Sequence, residues 1–259
     1  MDFGIKDKRV LITGGSKNIG AAIAKAFAVE GSKVTIVARS KDKSEQLVKE
    51  LEDSGSGHDF LIVDLREPGT PTRVANELLN RHKAIDIVIH NVGGGLGQKN
   101  PLGPVDEWMK VWHFNVGIAI EMNAVLVPVM KKQQWGRIVH ISSISAQQGE
   151  PLRHPYGGAL PYAAAKSYLN AYVKGLSREL ARENIVVSAL MPGVILSEGK
   201  YWEKLQKTNP DLVNDFLNKH YAIGRFGKAD EIASFAVFMA SQQASYAIGS
   251  IVSIDGGRM

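Results

Sequence analysis

The chain has 259 residues, 44% hydrophobic and 22% charged, which is enough apolar content for one large α/β domain spanning 1–259. It contains no cysteine, which removes disulfides, thiolate nucleophiles and cysteine-held metals and points to a reducing, cytoplasmic setting with no metal site. The formal charge of +5 comes from interspersed Lys and Arg, giving mild attraction to anionic ligands without the basic arm expected of a nucleic-acid binder.

In chain order, short β-branched runs alternate with amphipathic segments of helical length. Strands are expected over 9–13, 33–38, 59–64, 85–91, 137–142, 185–190 and 250–254, and helices over 19–30, 43–53, 71–82, 105–132 and 161–183. This alternation predicts an α/β fold, a Rossmann-type doubly wound domain whose seven-stranded parallel sheet is flanked by helices on both faces. Right-handed crossovers then place a ligand crevice at the strand carboxyl ends. Three irregular stretches, 93–104, 144–160 and 192–227, all follow strands and should overhang that crevice. No apolar run precedes the first strand, and the apolar stretch 185–196 is too short to cross a bilayer, so neither a targeting segment nor a membrane span is expected.

The first strand runs into Gly14-Gly15-Ser16-Lys17-Asn18-Ile19-Gly20 and then a helix. A turn of small residues at a helix N-terminus presents free N–H groups and a partial positive charge to a phosphate. Asn18 stands where a further glycine would fit most easily, but asparagine tolerates positive φ and brings its own donor. At the end of the second strand, Arg39 and Ser40, with Lys17 nearby, provide two cations and a hydroxyl for the 2′-phosphate of NADP; NAD binding would favour an acidic residue there. NADP(H) is therefore expected in preference to NAD(H). Asp64, ending the third strand, either contacts the adenine or caps the turn before Arg66.

Further along, Tyr162-Ala-Ala-Ala-Lys166 sets a phenol and an ammonium on one helix face. A free tyrosine ionises near pH ~10, and bringing that to about 7 takes roughly 4 kcal/mol of preferential phenolate stabilisation. An exposed lysine cannot supply this, whereas a lysine in a closed site beside a cationic cofactor can.

With these residues in place, the chain resembles the short-chain dehydrogenase/reductase family over nearly its whole length. The resemblance rests on the Thr13-Gly14-x-x-x-Asn18-Ile19-Gly20 turn, His90-Asn91-Val92-Gly93, Asn115, Ile141-Ser142-Ser143, Tyr162-x-x-x-Lys166, Pro192-Gly193 and Asp255-Gly256-Gly257, all in the family's order. It implies an oxidoreductase that interconverts a ketone and a secondary alcohol. Tyr162 would be the proton donor or acceptor, Ser143 the hydrogen-bond donor to the reacting oxygen, Lys166 the group that lowers the phenol pKa and holds the nicotinamide ribose, and Asn115 the holder of a relay water. Cofactor contacts would come from Gly14, Ser16, Lys17, Asn18, Ile19, Arg39, Ser40, Asp64, Leu65, Asn91, Gly93, Tyr162, Lys166, Pro192, Gly193 and Ile195. A homo-oligomer, tetramer or dimer, is expected by resemblance, through the helix carrying Trp108, Met109 and Trp112 and the tyrosine helix.

The sequence departs from the family pattern in three places. Asn18 replaces a glycine, His90 replaces an asparagine and reads as a buried, satisfied histidine, and the stretch between Ser143 and Tyr162 is long. That stretch offers Tyr156 as a second tyrosine, but its i+4 partner is Leu160 and Gly157-Gly158 would not sustain a helix, so the chemistry is assigned to Tyr162. Arg153, His154 and Tyr156 read either as substrate-loop residues or as plain surface. The region 192–227 corresponds to a substrate lid whose Tyr201, Trp202 and Phe216 either cover a substrate or pack on their own domain. A carbonyl reductase for small ketones, a 3-oxoacyl carrier-protein reductase, a sugar or polyol dehydrogenase and a non-catalytic NADP sensor remain as readings.

Overall fold

The computed structural model describes residues 2–148, 159–197, 199 and 201–258. Seven parallel strands form one sheet in the order β3-β2-β1-β4-β5-β6-β7: β1 Arg9–Thr13, β2 Lys33–Ala38, β3 Asp59–Ile62, β4 Ile87–His90, β5 Gly136–Ile141, β6 Ile185–Pro192 and β7 Ile251–Ile254. Val, Ile and Leu dominate these runs because both faces of the sheet are covered, and every residue of β4, β5 and β6 is buried. On one face, α1 Asn18–Val29, α2 Lys41–Leu51 and α10 Ala229–Met239 share an apolar cluster with Val10, Ile12, Ile36, Ile87 and Val139. On the other, α3 Thr70–His82, α5 Ile118–Gln133 and α7 Leu160–Leu180 pack over Leu11, Val37, Val88, Ile138 and Val187.

The strand order reverses between β1 and β4, which opens the crevice at their carboxyl ends. The approach of α1 to β1 is close enough to require glycine at one point. A Cβ on Gly20 would lie 2.3 Å from the Gly14 carbonyl oxygen and 2.8 Å from Asn91 Nδ2.

Element ends differ from the sequence expectation for local reasons. β3 stops at Ile62 because Asp64 turns its carboxylate back to accept from the Arg66 backbone N–H. β4 begins only after Asp86, which is engaged by the backbone and guanidinium of Arg9. β6 runs on to Pro192 because β7 supplies Ile254 as a register partner. The expected helix over 105–132 is interrupted: α4 Val105–Trp112 passes through a π-helical turn, His113–Gly117, into α5. The continuous stretch Val105–Gln133 is long and apolar enough to cross a membrane by length and composition, but 56% of its most apolar window is buried inside the protein.

The stretch 192–227 is not irregular throughout. It contains α8 Tyr201–Thr208 and α9 Pro210–His220, whose Val213, Phe216 and Leu217 form a small core with Tyr221 and Phe226. Trp202 stacks on Phe216 at 4.5 Å, so these two aromatics hold the lid region together. The four-residue helix α6 Ser145–Gln148 follows β5, and Glu150, Arg153, His154, Tyr156 and Gly157-Gly158 lie outside the described residues.

Gly20→Ala is expected to destabilise the protein by about 1–3 kcal/mol through overpacking against the Gly14 backbone. Urea unfolding of the purified variant measures it.

Candidate active site

Two adjoining cavities line the carboxyl ends of the strands. The larger, about 410 Å³, runs from the β1–α1 turn to the ends of β2 and β3 and is bordered by Gly14, Ser16, Lys17, Asn18 and Ile19. Arg39, Ser40, Asp64, Leu65, Asn91 and Gly93 complete its expected residues, with Phe114 added. The smaller, about 270 Å³, lies over β5 and β6 and is bordered by Ser143, Tyr162, Lys166, Pro192, Gly193 and Ile195. Ile19, Asn91, Gly93 and Ser197 border both, which makes one elongated groove.

The dinucleotide end fits an anionic, elongated cofactor. No side chain caps the α1 N-terminus, so its first N–H groups remain available to a phosphate. Asn18 takes the left-handed conformation at φ 48°, which asparagine bears with less strain than most residues. Asn91 fixes the turn from the opposite strand by donating to the carbonyls of Thr13 and Gly14, both at 3.1 Å.

At the far end of the larger cavity, Asp64 does more than cap its turn. Its carboxylate accepts from Arg66 Nε at 2.9 and 3.0 Å, and Arg39 approaches it at 3.7 Å. Hydrogen bonding from Arg66, with Arg39 adding attraction, holds the Asp64 carboxyl down at about 2. The sequence reading named Arg66 only as a turn residue; the signal available was its Asp-x-Arg spacing at a strand end, which allows the guanidinium to fold back.

The chemical end is built on the first turns of α7, which start with Pro161 in a favoured first-turn position. Three residues separate Tyr162 from Lys166, and the ammonium lies 5.6 Å from the phenol ring centroid. Lys166 is 2% exposed and donates to the Ile141 carbonyl at 2.8 Å. Burial, with no carboxylate partner among the described residues, pushes its ammonium down to about 7. Ser143, just beyond β5, accepts from the Ser145 backbone N–H at 3.2 Å, and its hydroxyl hydrogen remains available for donation.

Asn115 sits in the π-helical turn, buried, and clamps the loop after β4. Its Oδ1 accepts from Gly94 N–H at 3.0 Å, while Nδ2 donates to the carbonyls of Gly94 (2.9 Å) and Val111 (2.8 Å). These bonds place Gly93 against the lysine: a Cβ there would lie 2.6 Å from Asn115 Oδ1 and 3.0 Å from Lys166 Nζ. The side chain of Asn115 is thus occupied with loop and helix, so a relay water would have to use the backbone that the π turn widens.

His90 is buried as expected but only half satisfied, since its Nδ1 has no partner among the described residues. Its Nε2 meets Asn123 Oδ1 at 2.9 Å, and its ring stacks on His140 with centroids 4.7 Å apart. The sequence reading did not identify His140, Asn123 or Tyr172, which surround it. Two histidines ending adjacent strands were the available signal.

The buried lysine gives a signed prediction for the cofactor-free protein. The folded state releases this proton near pH 7 and the unfolded chain only near ~10.4. Between those values the unfolded state binds more protons, so folding stability rises with pH. Wild type should therefore gain stability relative to Lys166→Met as pH goes from 7 towards 10, read by thermal melting at each pH.

Known proteins are similar to this chain over nearly its whole length. Residues 14–258 match the family model described as enoyl-(acyl carrier protein) reductase. The chain is 32% identical over 252 residues to the 3-oxoacyl-[acyl-carrier-protein] reductase of Chlamydia muridarum, covering 97% of each chain. It superposes on L-sorbose reductase from Gluconobacter frateurii, solved with NADPH and L-sorbose, with a TM-score of 0.89 and 32% identity, covering 99% of this chain and 98% of that one. A 7α-hydroxysteroid dehydrogenase solved with NADH matches at a TM-score of 0.87 and 25% identity, covering 100% of this chain and 96% of that one. The chain belongs to the short-chain dehydrogenase/reductase family of NAD(P)-dependent oxidoreductases.

Proposed function

We propose that the protein interconverts a ketone and a secondary alcohol with NADP(H), using Ser143, Tyr162, Lys166 and Asn115. The observation that carries this reading is a buried ammonium beside the Tyr162 ring, in a groove continuous with the small-residue turn of α1. NADP(H), when bound, supplies or accepts the hydride. Tyr162 donates its phenol proton to the substrate oxygen in reduction and takes it back in oxidation. Ser143 donates a hydrogen bond to the same oxygen, where negative charge builds in the transition state. Lys166, charged and desolvated, favours the phenolate and so brings the tyrosine pKa towards the working pH. Asn115 keeps the loop at Gly93 closed against the lysine through its bonds to Gly94.

The preference for NADP(H) rests on Arg39, Ser40 and Lys17 at the rim of the larger cavity. Asp64 holds Arg39 only loosely, at 3.7 Å with the guanidinium side chain 64% exposed. A dianionic 2′-phosphate therefore competes well for that guanidinium. The relatives leave the cofactor choice open, since L-sorbose reductase was solved with NADPH and the hydroxysteroid dehydrogenase with NADH.

For the substrate, the likeness to L-sorbose reductase supports a small hydroxylated ketone, and the likeness to the carrier-protein reductase supports an acyl thioester. Exposed Val105, Met109 and Tyr168 on α4 and α7 support a homo-oligomer through that face.

Tyr162→Phe should bind NADPH as wild type does while hydride transfer, screened over hydroxylated ketones and acyl thioesters, falls by at least about a thousandfold. Retained turnover would point to a different acid, whereas wild type that binds NADPH but turns over none of these substrates would point to a cofactor-sensing protein. Arg39→Ala should lower the preference for NADPH over NADH by about tenfold or more, read from kcat/KM for each cofactor; an unchanged ratio would remove Arg39 from the assignment.

A further inference from the structure

Behind Lys166 lies a polar cluster that the proposed chemistry does not use. His90 and His140 are register partners on β4 and β5, stacked at 4.7 Å with 20° between ring planes, and are 5% and 0% exposed. Asn123 on α5 bridges them to α7, accepting from His90 and donating to the Tyr172 hydroxyl at 3.1 Å. The Tyr172 ring meets His140 edge-on at 5.9 Å. The residue after His140 is Ile141, whose carbonyl receives the Lys166 ammonium.

Hydrogen bonding assigns one tautomer. Asn123 Oδ1 is an acceptor, so His90 carries its hydrogen on Nε2 and leaves Nδ1 as a lone-pair acceptor. That nitrogen and both nitrogens of His140 have no partner among the described residues. Each buried group left in this state carries an uncompensated desolvation penalty, whereas apolar side chains at the two positions would avoid it. Packing within the correctly folded core gives no reason to keep them.

We propose that His140, held against His90, is a positioning residue for Lys166: the uncharged imidazole pair forms a polar floor under the buried ammonium and sets the pH at which Tyr162 works. The proposal rests on Lys166 serving Tyr162 as described above.

The charges around the pair are few. From α7 come Lys166 and Tyr172, from β4 His90, and from α5 the neutral Asn123, while Glu121 on α5 is turned to His113 at 2.9 Å. On β6 the register partner of His140 is Ala189. Burial pushes His90 down to about 4 and His140 well below the ordinary histidine value, with His90 and Lys166 further opposing a proton on His140. Both rings therefore stay neutral through the working range and leave Lys166 as the only cation of the cluster. A neutral imidazole still carries a large dipole and a lone pair. Replacing it with a hydrocarbon deepens the desolvation of the ammonium, lowers its affinity for a proton and weakens its hold on the phenolate. The tyrosine then ionises at higher pH.

The test is the pH profile of alcohol oxidation, in which kcat/KM rises as Tyr162 ionises. His140→Leu should move that inflection up by about 0.5 pH unit or more, and His140→Asn should bring it back towards wild type. An inflection unchanged in a folded His140→Leu, or one moved down, overturns the proposal; a loss of melting temperature alone would mark a structural role. Should His140→Leu fail to fold, ¹⁵N imidazole NMR on the wild type decides. Both rings are expected neutral at pH 6, with His140 shifts following an inflection that Lys166→Met abolishes. A cationic His140 at pH 6, or shifts indifferent to Lys166→Met, overturns it. Turnover by Tyr162→Phe would instead sink the catalytic assignment, which separates the two failures.

Discussion

A positive charge held out of water is the constraint on which the site depends. Lys166 is almost fully buried, and its one hydrogen-bond partner among the described residues is a backbone carbonyl. A buried ammonium without a carboxylate is costly to the folded chain alone. The cost falls when oxygen-rich or anionic groups arrive, namely the hydroxyls of a ribose and the oxygen of an ionising phenol. The same desolvation that weakens the empty site therefore favours the occupied one, and more strongly still the species in which Tyr162 carries negative charge. Glycine at 93 and the amide clamp of Asn115 follow from this constraint, because a side chain at 93 would occupy the ammonium's place.

The opposite end of the groove works in a different electrostatic regime. Arg39, Asp64 and Arg66 are partly exposed, and their attractions are screened by solvent. Such pairs are individually worth about 0–1 kcal/mol and rearrange readily. Asp64 can thus keep two guanidinium groups near the adenosine end without locking either away from a phosphate. Under the proposed function, affinity and cofactor choice belong to this wet rim, while the dry end supplies the chemistry. The separation explains why a change at Arg39 should alter the choice of cofactor and leave the tyrosine chemistry intact.

Much of this was legible in the sequence, and the unread part has a common cause. β1 and β2 were bounded by hydrophobic runs that end at a glycine turn and at Arg39, so local pattern located them. Tyr162, Lys166, Ser143 and Asn115 could be singled out as candidates because they lie in short sequence motifs or at a family position. The π turn was hinted at by Gly117 beside Asn115, whose close packing against His113 would exclude a larger side chain. What escaped were pairings over long separations: His90 with Asn123 across 33 residues, and Asn123 with Tyr172 across 49. No periodicity records such contacts. In 192–227, the aromatics left a substrate cover and internal packing both open, and Trp202 and Phe216 are spent on the internal packing of the lid.

The imidazole pair also bears on how the sheet finds its register. Side chains alternate faces along β4 and β5, so a slip of one residue in either strand would carry a histidine from the α5–α7 side to the cluster formed by Ile12, Ile36 and Val139. There it would lose Asn123 and its stacking partner, and Ile141 would no longer present its carbonyl to Lys166. An all-apolar pair at these positions would oppose such a slip less strongly, since apolar side chains are accepted on either face. The polar pair thus penalises the wrong register where an error would displace Lys166. A group that is costly in the correct structure is still more costly in the competing one, and that difference is what specifies the pairing.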